Sequence, residues 1–208
     1  MAPASGLLVV LEGVDRCGKT TQCARLVEHL TKRGVRCEAM RFPCRDTAIG
    51  KVIDSYLKSA TELSDQAVHL LFSANRWEMS AHMRQKLAEG VTLVVDRYTF
   101  SGQVFTFAKG GIDMDWCRAP DVGLPQPDLV MFLDLPVEQS KLRGSFGEER
   151  YEKEEMQCRV REAFLDLAQA NERGVWRIVD ASQSMDQVER VIWQHVEKQQ
   201  QFKTANGN

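Results

Sequence analysis

A lysine and two threonines follow a pair of glycines near the start of the chain, directly after an apolar run. The run Leu-Leu-Val-Val-Leu at 7–11 leads into Glu-Gly-Val-Asp-Arg-Cys-Gly-Lys-Thr-Thr at 12–21. This spacing fits the phosphate-binding P-loop, in which glycines let successive backbone N–H groups point inward and the following helix adds its positive N-terminus. We therefore predict that the segment binds a nucleoside triphosphate.

Three side chains in and near this loop predict how the phosphates and a metal ion are held. Lys19 is expected to reach the β- and γ-phosphates, and the Thr20 hydroxyl is expected to bind Mg²⁺. Asp96 follows the apolar run Leu-Val-Val and matches a Walker-B carboxylate, which organises the metal or its waters. The loop residues that we predict to contact the nucleotide are Gly13, Arg16, Cys17, Gly18, Lys19, Thr20 and Thr21.

Two arginines that follow other predicted strands indicate a second anion site. Arg45 lies just after the predicted strand at 37–42, and Arg97 lies just after the one at 92–96. Ligands of open parallel sheets bind beyond the carboxyl ends of the strands, so both arginines are expected at the edge that carries the P-loop. A single arginine of this kind is most often a solvated surface charge, but two at one edge favour a phosphate site.

A P-loop alone does not distinguish a regulatory GTPase from a small-molecule kinase. A GTPase would need a guanine-reading Asn-Lys-x-Asp and an Asp-x-x-Gly switch after the P-loop, and neither pattern occurs in this sequence. A kinase needs a second basic site for an anionic acceptor and a mobile segment that excludes water. The two arginines supply the first requirement, so the sequence favours a kinase.

The elements that must position these residues alternate between short strands and longer helices. The predicted strands are 7–11, 37–42, 92–96, 128–135 and 177–180, and the predicted helices are 19–33, 49–58, 64–89, 137–143, 148–171 and 185–199. Several strands are continuous apolar runs, as in parallel strands buried on both faces. We predict one α/β domain over 1–208 with the three-layer P-loop NTPase fold: a five-stranded parallel sheet flanked by helices. Residues 200–208 are predicted to be a frayed tail.

Composition excludes several other classes of protein. The chain has 208 residues, 43% of them hydrophobic, and a formal net charge of −2, which argues against a nucleic-acid or acidic-membrane partner. No apolar run approaches the roughly 18 residues of a membrane span, and the first residues lack a signal-peptide pattern. The six cysteines show neither C-x-x-C nor zinc-site spacing, so we expect free thiols and a cytoplasmic protein.

Several longer motifs resemble the thymidylate kinase family. They are Phe-Pro-x-Arg at 42–45, Phe-Ser-Ala-Asn-Arg-Trp-Glu at 72–78, Asp-Arg-Tyr-x-Phe-Ser-Gly at 96–102 and Gly-Leu-Pro-x-Pro-Asp at 123–128. Asp15-Arg16 in the P-loop and Arg-Gly-x-Phe-Gly-x-Glu-Arg-Tyr-Glu at 143–152 are similar to the eukaryotic type. The resemblance covers about residues 5–183 and implies ATP-dependent phosphorylation of dTMP to dTDP by a homodimer.

The resemblance also implies roles for residues around the acceptor. Phe72 stacks on the pyrimidine, and Arg76, one helical turn later, donates to a base carbonyl. Asp15 accepts from the 3′-hydroxyl, and Tyr151 crowds C2′ and disfavours ribose. The implied dTMP site comprises Asp15, Phe42, Arg45, Phe72, Arg76, Arg97, Ser101, Gly102, Phe105, Tyr151 and Gln157.

The resemblance implies a lid over the donor nucleotide at about 136–152, with its main part from Arg143 to Tyr151. Arg143 packs against the adenine, and the loop at 181–183, with Ser182, lies on the other side of the base. Gly144 and Gly147 allow the lid to hinge, and Arg150 brings a second group of hydrogen-bond donors over the donor nucleotide. From the residues alone, an ordinary connection between two helices explains this segment equally well.

The predicted reaction is a direct in-line transfer without a covalent enzyme intermediate. An acceptor phosphate is already ionised, so no strong general base is needed, and the predicted catalytic residues are Lys19, Arg16, Asp15 and Arg97. The alternative is a deoxynucleoside kinase, which would have to deprotonate a 5′-hydroxyl and would have no use for two arginines at an acceptor phosphate. A third alternative is a nucleotide-binding protein without catalysis.

Overall fold

The sheet has five parallel strands in the order β2-β3-β1-β4-β5. The structure is a computed structural model that describes residues 6–143 and 147–206. The two central strands β1 and β3 are buried along their whole length, because helices cover both faces of the sheet. The strands are β1 Leu8–Glu12, β2 Cys37–Arg41, β3 Thr92–Asp96, β4 Leu129–Asp134 and β5 Trp176–Asp180. The predicted sheet is confirmed.

Eight α-helices and one short 3₁₀ helix, Ala119–Asp121, connect the strands within the described part of the chain. The side chain of Ser64 accepts a hydrogen bond from Ala67 N and so caps the N-terminus of the third helix. The helices are α1 Lys19–Lys32, α2 Ala48–Leu57, α3 Asp65–Ala88, α4 Thr99–Phe107, α5 Met114–Arg118, α6 Val137–Lys141, α7 Glu154–Ala170 and α8 Met185–Asn206.

Helices α4 and α5 were not predicted from the sequence. Helix α4 contains β-branched and aromatic residues of low helix propensity, and it begins without a side-chain cap from its own N-cap residue. Its first turn is stabilised from β1 instead, because Glu12 Oε1 accepts hydrogen bonds from Tyr98 N and Ser101 N at 2.9 and 3.1 Å. A distant carboxylate therefore sets a helix that local pattern does not show.

Two predicted helix boundaries are wrong. The helix predicted at 148–171 begins only at Glu154, because the backbone N–H groups of 147–149 donate to the Glu152 carboxylate rather than entering a helix. The last helix was predicted to end at 199 and to leave a frayed tail, but α8 continues to Asn206. Lys203 Nζ donates to Gly6 O and to Asp128, which ties this final part to the start of β1. Residues 207 and 208 lie outside the described residues.

None of the helices in the described residues combines the length and apolar character needed to cross a bilayer. The hydrophobic core instead forms between the sheet and the helices on its two faces. The larger cluster joins β1 and β4 to α1, α7 and α8, and a smaller one lies between the sheet and α3. The carboxyl ends of β1, β2 and β3, where the predicted site residues follow, are therefore held on a rigid base.

Candidate active site

The connection from β1 to α1 is a tight loop that only glycine can start. Gly13 has φ 147°, and a Cβ placed there would lie 2.8 Å from Leu133 O. Gly18 has φ 104° and directly precedes the first residue of α1. The loop therefore presents backbone N–H groups next to the N-terminus of a 14-residue helix, which is the geometry that binds phosphate.

Lys19 and Thr20 lie at the start of α1, facing the loop and β3. Lys19 is 5% exposed, and its Nζ donates to Val14 O at 2.6 Å and to Gly13 O at 3.2 Å. Thr20 Oγ1 donates to Asp96 Oδ2 at 2.6 Å. The loop, the ammonium, the hydroxyl and the strand-end carboxylate thus come together as the sequence predicted.

The residues around Asp96 fit a magnesium ion that is held partly by the nucleotide. Asp96 is 3% exposed, and its Oδ1 has no hydrogen-bond partner, which is costly unless a cation or water completes the site. No group of three or more His, Cys, Asp or Glu side chains within 6–143 and 147–206 could hold a metal alone. Mg²⁺ is commonly bound by one or two protein oxygens together with substrate phosphates.

A cavity of about 730 Å³ opens above the P-loop. Arg143 forms one wall, because its Nη1 donates to Cys17 O at 3.1 Å and its Nη2 donates to Ala181 O at 2.9 Å. The predicted residues that line this cavity are Asp15, Arg16, Cys17, Gly18, Lys19, Thr20, Thr21, Arg45, Arg97 and Arg143. We call it the donor cavity.

Three residues predicted at the donor side need separate comment. Ser182 is exposed and does not line the donor cavity, because its hydroxyl donates to Asp180 Oδ1. Arg150 was predicted to reach the donor nucleotide, but its guanidinium lies 4.2 Å from the Tyr56 ring centre and pairs with Glu62. Its place is therefore against the end of α2. Gly144 lies outside the described residues.

A second, narrower cavity of about 90 Å³ lies between α3, α4 and the segment after β2. Phe72 and Arg76 come from α3, and they face Ser101, Gly102 and Phe105 of α4. The predicted residues that line it are Asp15, Phe42, Arg45, Phe72, Arg76, Arg97, Ser101, Gly102, Phe105 and Tyr151. We call it the acceptor pocket. The two cavities share Asp15, Arg41, Arg45, Arg97 and Glu149, so they meet at these residues.

The two predicted phosphate arginines lie at this junction, and both are paired with carboxylates. Arg45 donates to Asp54 at 2.6 Å and to Glu149 at 2.8 Å. Arg97 donates to Asp15 at 2.5 Å and has the left-handed φ of 66°, which is rare for arginine. Strained backbone that the surrounding structure maintains is typical of functional sites.

Asp15 is held ionised between two partners. Gln157 Nε2 donates to its Oδ2 at 2.7 Å, and Gln157 Oε1 accepts from its backbone N–H at 2.8 Å. Burial alone would raise the pKa of Asp15, but the charges of Arg97 and Lys19 outweigh burial and hold that pKa below its usual value. Asp15 is therefore a permanent hydrogen-bond acceptor. Gln157, predicted to touch the base, does not line the pocket and orients Asp15 instead.

Arg16 lies in the middle of the P-loop with a left-handed φ of 61°. Its Nη2 lies 2.9 Å from Glu152 Oε1, and Glu152 Oε2 accepts the backbone N–H groups of 147–149. The guanidinium lines the donor cavity beside Asp15, which belongs to both cavities. A positive charge thus stands close to where donor and acceptor meet.

Two buried carboxylates contribute to the site without having been predicted. Glu12 holds the start of α4, and burial raises its pKa in spite of the hydrogen bonds from Ser101. Asp121, in the 3₁₀ helix, pairs with Arg76 inside the protein. A glutamate at the end of an apolar strand could have indicated the first residue. No local pattern indicates the second, because its partner is 45 residues away.

Known proteins share this arrangement over nearly the whole chain. A family model described as thymidylate kinase matches residues 11–192. The thymidylate kinases of Danio rerio and Homo sapiens are each 52% identical to this chain over 192 residues, which is 92% of this chain and 90% of each relative. The chain belongs to the thymidylate kinase family. The solved thymidylate kinase of Candida albicans matches with a TM-score of 0.87 and 38% identity, covering 94% of this chain and 93% of that one.

The thymidylate kinase match includes both cavities. It begins in β1, before the P-loop, and ends in α8, so the donor cavity and the acceptor pocket both lie within it. The family resemblance that the sequence motifs indicated is thus confirmed, and so is the P-loop NTPase fold of the thymidylate kinases.

Proposed function

We propose that this protein transfers the γ-phosphoryl group of ATP to the phosphate of dTMP. The observation that carries the proposal is the junction of a P-loop cavity with a pocket that contains an aromatic ring, a buried arginine and three further arginines where the two cavities meet. A nucleoside monophosphate presents a ring, a sugar and an anion in that order. The thymidylate kinases at 52% identity support the choice of dTMP and ATP.

Within the acceptor pocket, each predicted residue has a role that its position supports. Phe72 offers a flat face to the pyrimidine, and Tyr151 stands close to Phe105, with 5.6 Å between their ring centres. Asp15, ionised and oriented by Gln157, accepts from the sugar 3′-hydroxyl. Arg45 and Arg97 exchange their carboxylate partners for the acceptor phosphate, as guanidinium groups bind both anions in the same geometry.

On the donor side, the loop backbone and Lys19 hold the β- and γ-phosphates, and Arg143 packs beside the adenine. Thr20 and Asp96 are the residues that would hold Mg²⁺, which neutralises charge on the phosphates when bound. Lys19 has to leave the carbonyls of Gly13 and Val14 to reach a phosphate, and a loop carbonyl is a weaker partner than a phosphate oxygen.

The transfer itself needs position and charge rather than a base. The phosphate oxygen of the acceptor attacks the γ-phosphorus in line, and the bond to the β-phosphate oxygen of the donor breaks. Negative charge spreads over the transferring group between the two cavities. Lys19 and Arg16 approach this region from the P-loop, and Arg97 approaches it from β3. The four residues proposed as catalytic are Lys19, Arg16, Asp15 and Arg97.

We also propose that the chain is one kinase domain that forms homodimers in the cytoplasm. Leu70 and Trp77 lie two helical turns apart on α3, and both are exposed, at 49% and 41%. Val52 on the neighbouring α2 is exposed as well, so these two packed helices both present apolar side chains that a second copy could cover. A reducing compartment suits the six free cysteines.

The proposal is tested by offering ATP and Mg²⁺ with a panel of acceptors: dTMP, dCMP, dUMP, dAMP, dGMP and thymidine. We expect dTDP to form from dTMP with the highest kcat/KM, and thymidine to remain unphosphorylated. Products are separated by ion-exchange chromatography, and a reaction without Mg²⁺ is the control. Efficient phosphorylation of thymidine would make the protein a deoxynucleoside kinase, and no transfer to any acceptor would overturn the proposal.

A further inference from the structure

A buried ion pair lies behind the acceptor pocket, between α3 and the 3₁₀ helix. Arg76 is 2% exposed and Asp121 is 4% exposed. Asp121 Oδ1 accepts from Nε and Nη2 of Arg76 at 3.1 and 2.9 Å, and Oδ2 accepts from Nη2 at 2.8 Å. Removing one partner of such a pair is strongly destabilising, because the other charge stays buried without compensation.

The pair fixes how the guanidinium of Arg76 is turned. Since Nε and Nη2 face the carboxylate, Nη1 is the nitrogen on the opposite side. Gly102 closes on the group from α4: a Cβ placed on Gly102 would lie only 2.8 and 2.9 Å from Nη2 and Nη1. The guanidinium therefore lies between the Asp121 carboxylate and the bare backbone of Gly102.

Asp121 is itself held in place by α3. Ser73 lies one turn before Arg76, and its hydroxyl donates to Asp121 Oδ1 at 2.7 Å. The carbonyl of Pro120, the preceding residue, accepts from Trp77 Nε1 at 2.8 Å. Three side chains of one helix thus fasten the short 3₁₀ helix, and the carboxylate cannot move independently of Arg76.

Arg76 lies in the part of the acceptor pocket that is not shared with the donor cavity. Asp15, Arg45 and Arg97 belong to both cavities, whereas Phe72, Arg76 and Gly102 line the acceptor pocket alone. A pyrimidine nucleotide with its phosphate at the junction directs the ring edge opposite the glycosidic bond towards Arg76. That edge carries a carbonyl in thymine and an amino group in cytosine.

We propose that Asp121 is a positioning residue that sets acceptor specificity by fixing Arg76 as a donor towards a ring carbonyl. This inference rests on the proposed function. The guanidinium has only N–H donors, so a fixed Arg76 hydrogen-bonds a carbonyl and opposes an amino group. If the guanidinium could turn or withdraw, the penalty against the amino group would fall. Asp121 lines neither the donor cavity nor the acceptor pocket, so it acts through Arg76.

The test compares kcat/KM for dTMP and for dCMP in the wild type and in Asp121→Asn. The variant keeps the shape of the side chain but loses its charge and one acceptor oxygen. We expect the dTMP-to-dCMP ratio to fall by about tenfold or more, the loss that follows when a hydrogen bond to a charged group is no longer enforced. The ratio does not depend on how much of the protein is folded, so partial unfolding cannot imitate this result.

Asp128→Asn is the matched control, because Asp128 pairs with Lys203 at the start of β1 and lines neither cavity. This variant should keep the wild-type ratio. Should Asp121→Asn fail to fold, Ser73→Ala decides: losing its hydrogen bond to Asp121 should lower the ratio about threefold. An unchanged ratio in the folded variant overturns the inference. A wild type that does not prefer dTMP over dCMP would overturn the proposed function instead.

Discussion

The donor cavity and the acceptor pocket are built in opposite ways. The donor cavity is wide, about 730 Å³, and its floor is one continuous loop that leads into the N-terminus of α1. The acceptor pocket is about 90 Å³, and its walls are side chains from α3, α4 and the segments after β1, β2 and β3. Backbone groups recognise a feature common to all nucleotides, whereas side chains distinguish one base from another.

The same difference appears in how the charged groups are held. In the acceptor pocket the charged side chains are held by other side chains. Arg76 pairs with Asp121, and Arg97 pairs with Asp15. Asp15 also accepts a hydrogen bond from the amide of Gln157. In the donor cavity Lys19 is bound to carbonyls of its own loop. Changes in the acceptor pocket should therefore alter which substrate is used and how tightly, while changes in the loop should alter the transfer itself.

The largest effect is expected from Lys19→Ala. The ammonium is the only one that the P-loop places at the phosphates, so phosphoryl transfer should fall to about one-thousandth or less, as when a preorganised donor to the transition state is lost. Lys32→Ala, at the exposed end of α1, is the control and should retain full turnover. A Lys19→Ala enzyme with near-normal turnover and an unchanged circular-dichroism spectrum would contradict the P-loop assignment.

Arg97→Ala should affect the binding of dTMP much more than the binding of ATP. Its guanidinium lies at the junction, where the acceptor phosphate is proposed to bind, so the KM for dTMP should rise about 10- to 100-fold, the worth of a hydrogen bond to a charged group. The KM for ATP should change far less. Arg118→Ala, which removes a half-exposed arginine from a surface pair, serves as control. Equal increases in both KM values would argue that Arg97 does not belong to the acceptor side.

The smallest effect concerns the stability of the acceptor side at acidic pH. His69 is fully buried on α3: one ring nitrogen lies 2.8 Å from Thr106 Oγ1 and the other lies 3.0 Å from Cys117 O. Burial lowers the pKa of His69, and the nearby positive charge of Arg76 lowers it further, against the opposing effect of Asp121. The neutral ring is therefore the form that the folded protein stabilises.

A depressed histidine pKa means that the unfolded chain binds the proton more readily. Stability from this group is complete above the unfolded pKa of about 6.5 and is lost as the pH falls below it, by up to about 1.4 kcal/mol per pH unit. Urea unfolding between pH 7.5 and 5.5 should show a steeper loss in the wild type than in His69→Gln. Parallel curves for the two proteins would show that His69 does not titrate in this way.

The sequence was sufficient to predict the P-loop because its determinants are contiguous. Residues 12–21 contain the strand end, both glycines, the lysine and the threonine, and the structure places them together between β1 and α1. The parallel sheet was predicted for a similar reason, since buried strands are continuous apolar runs. Helices α4 and α5 were missed and the boundaries at 148–153 and 200–206 were wrong, and at α4 and at both boundaries side chains from other elements decide the backbone.

The acceptor pocket could not have been predicted from local pattern. Phe72 on a helix looks like any core residue, and only the family motif indicated stacking. Helix α4 depends on Glu12, and Arg76 depends on Asp121, two partners far apart in sequence. Arg150 carried the right chemistry for a lid over ATP, but Glu62 and the Tyr56 ring bind it elsewhere. The sequence does not show which charged residues pair when they are far apart along the chain.

The proposed transfer requires a positive charge close to the junction that acts during the transfer rather than in binding. Arg16 lines the donor cavity beside the junction residue Asp15 and has a left-handed φ of 61°, which glycine adopts without strain, so Arg16→Gly should preserve the loop. An arginine that stabilises charge in the transition state of phosphoryl transfer contributes about 10³- to 10⁵-fold to kcat.

Steady-state kinetics of Arg16→Gly at saturating dTMP is therefore the most direct measurement. We expect kcat to fall by at least about 10²-fold with little change in the KM for ATP, because the interaction strengthens mainly in the transition state. A raised KM for ATP with kcat preserved would reduce Arg16 to a binding residue and would contradict its proposed role in the transfer step.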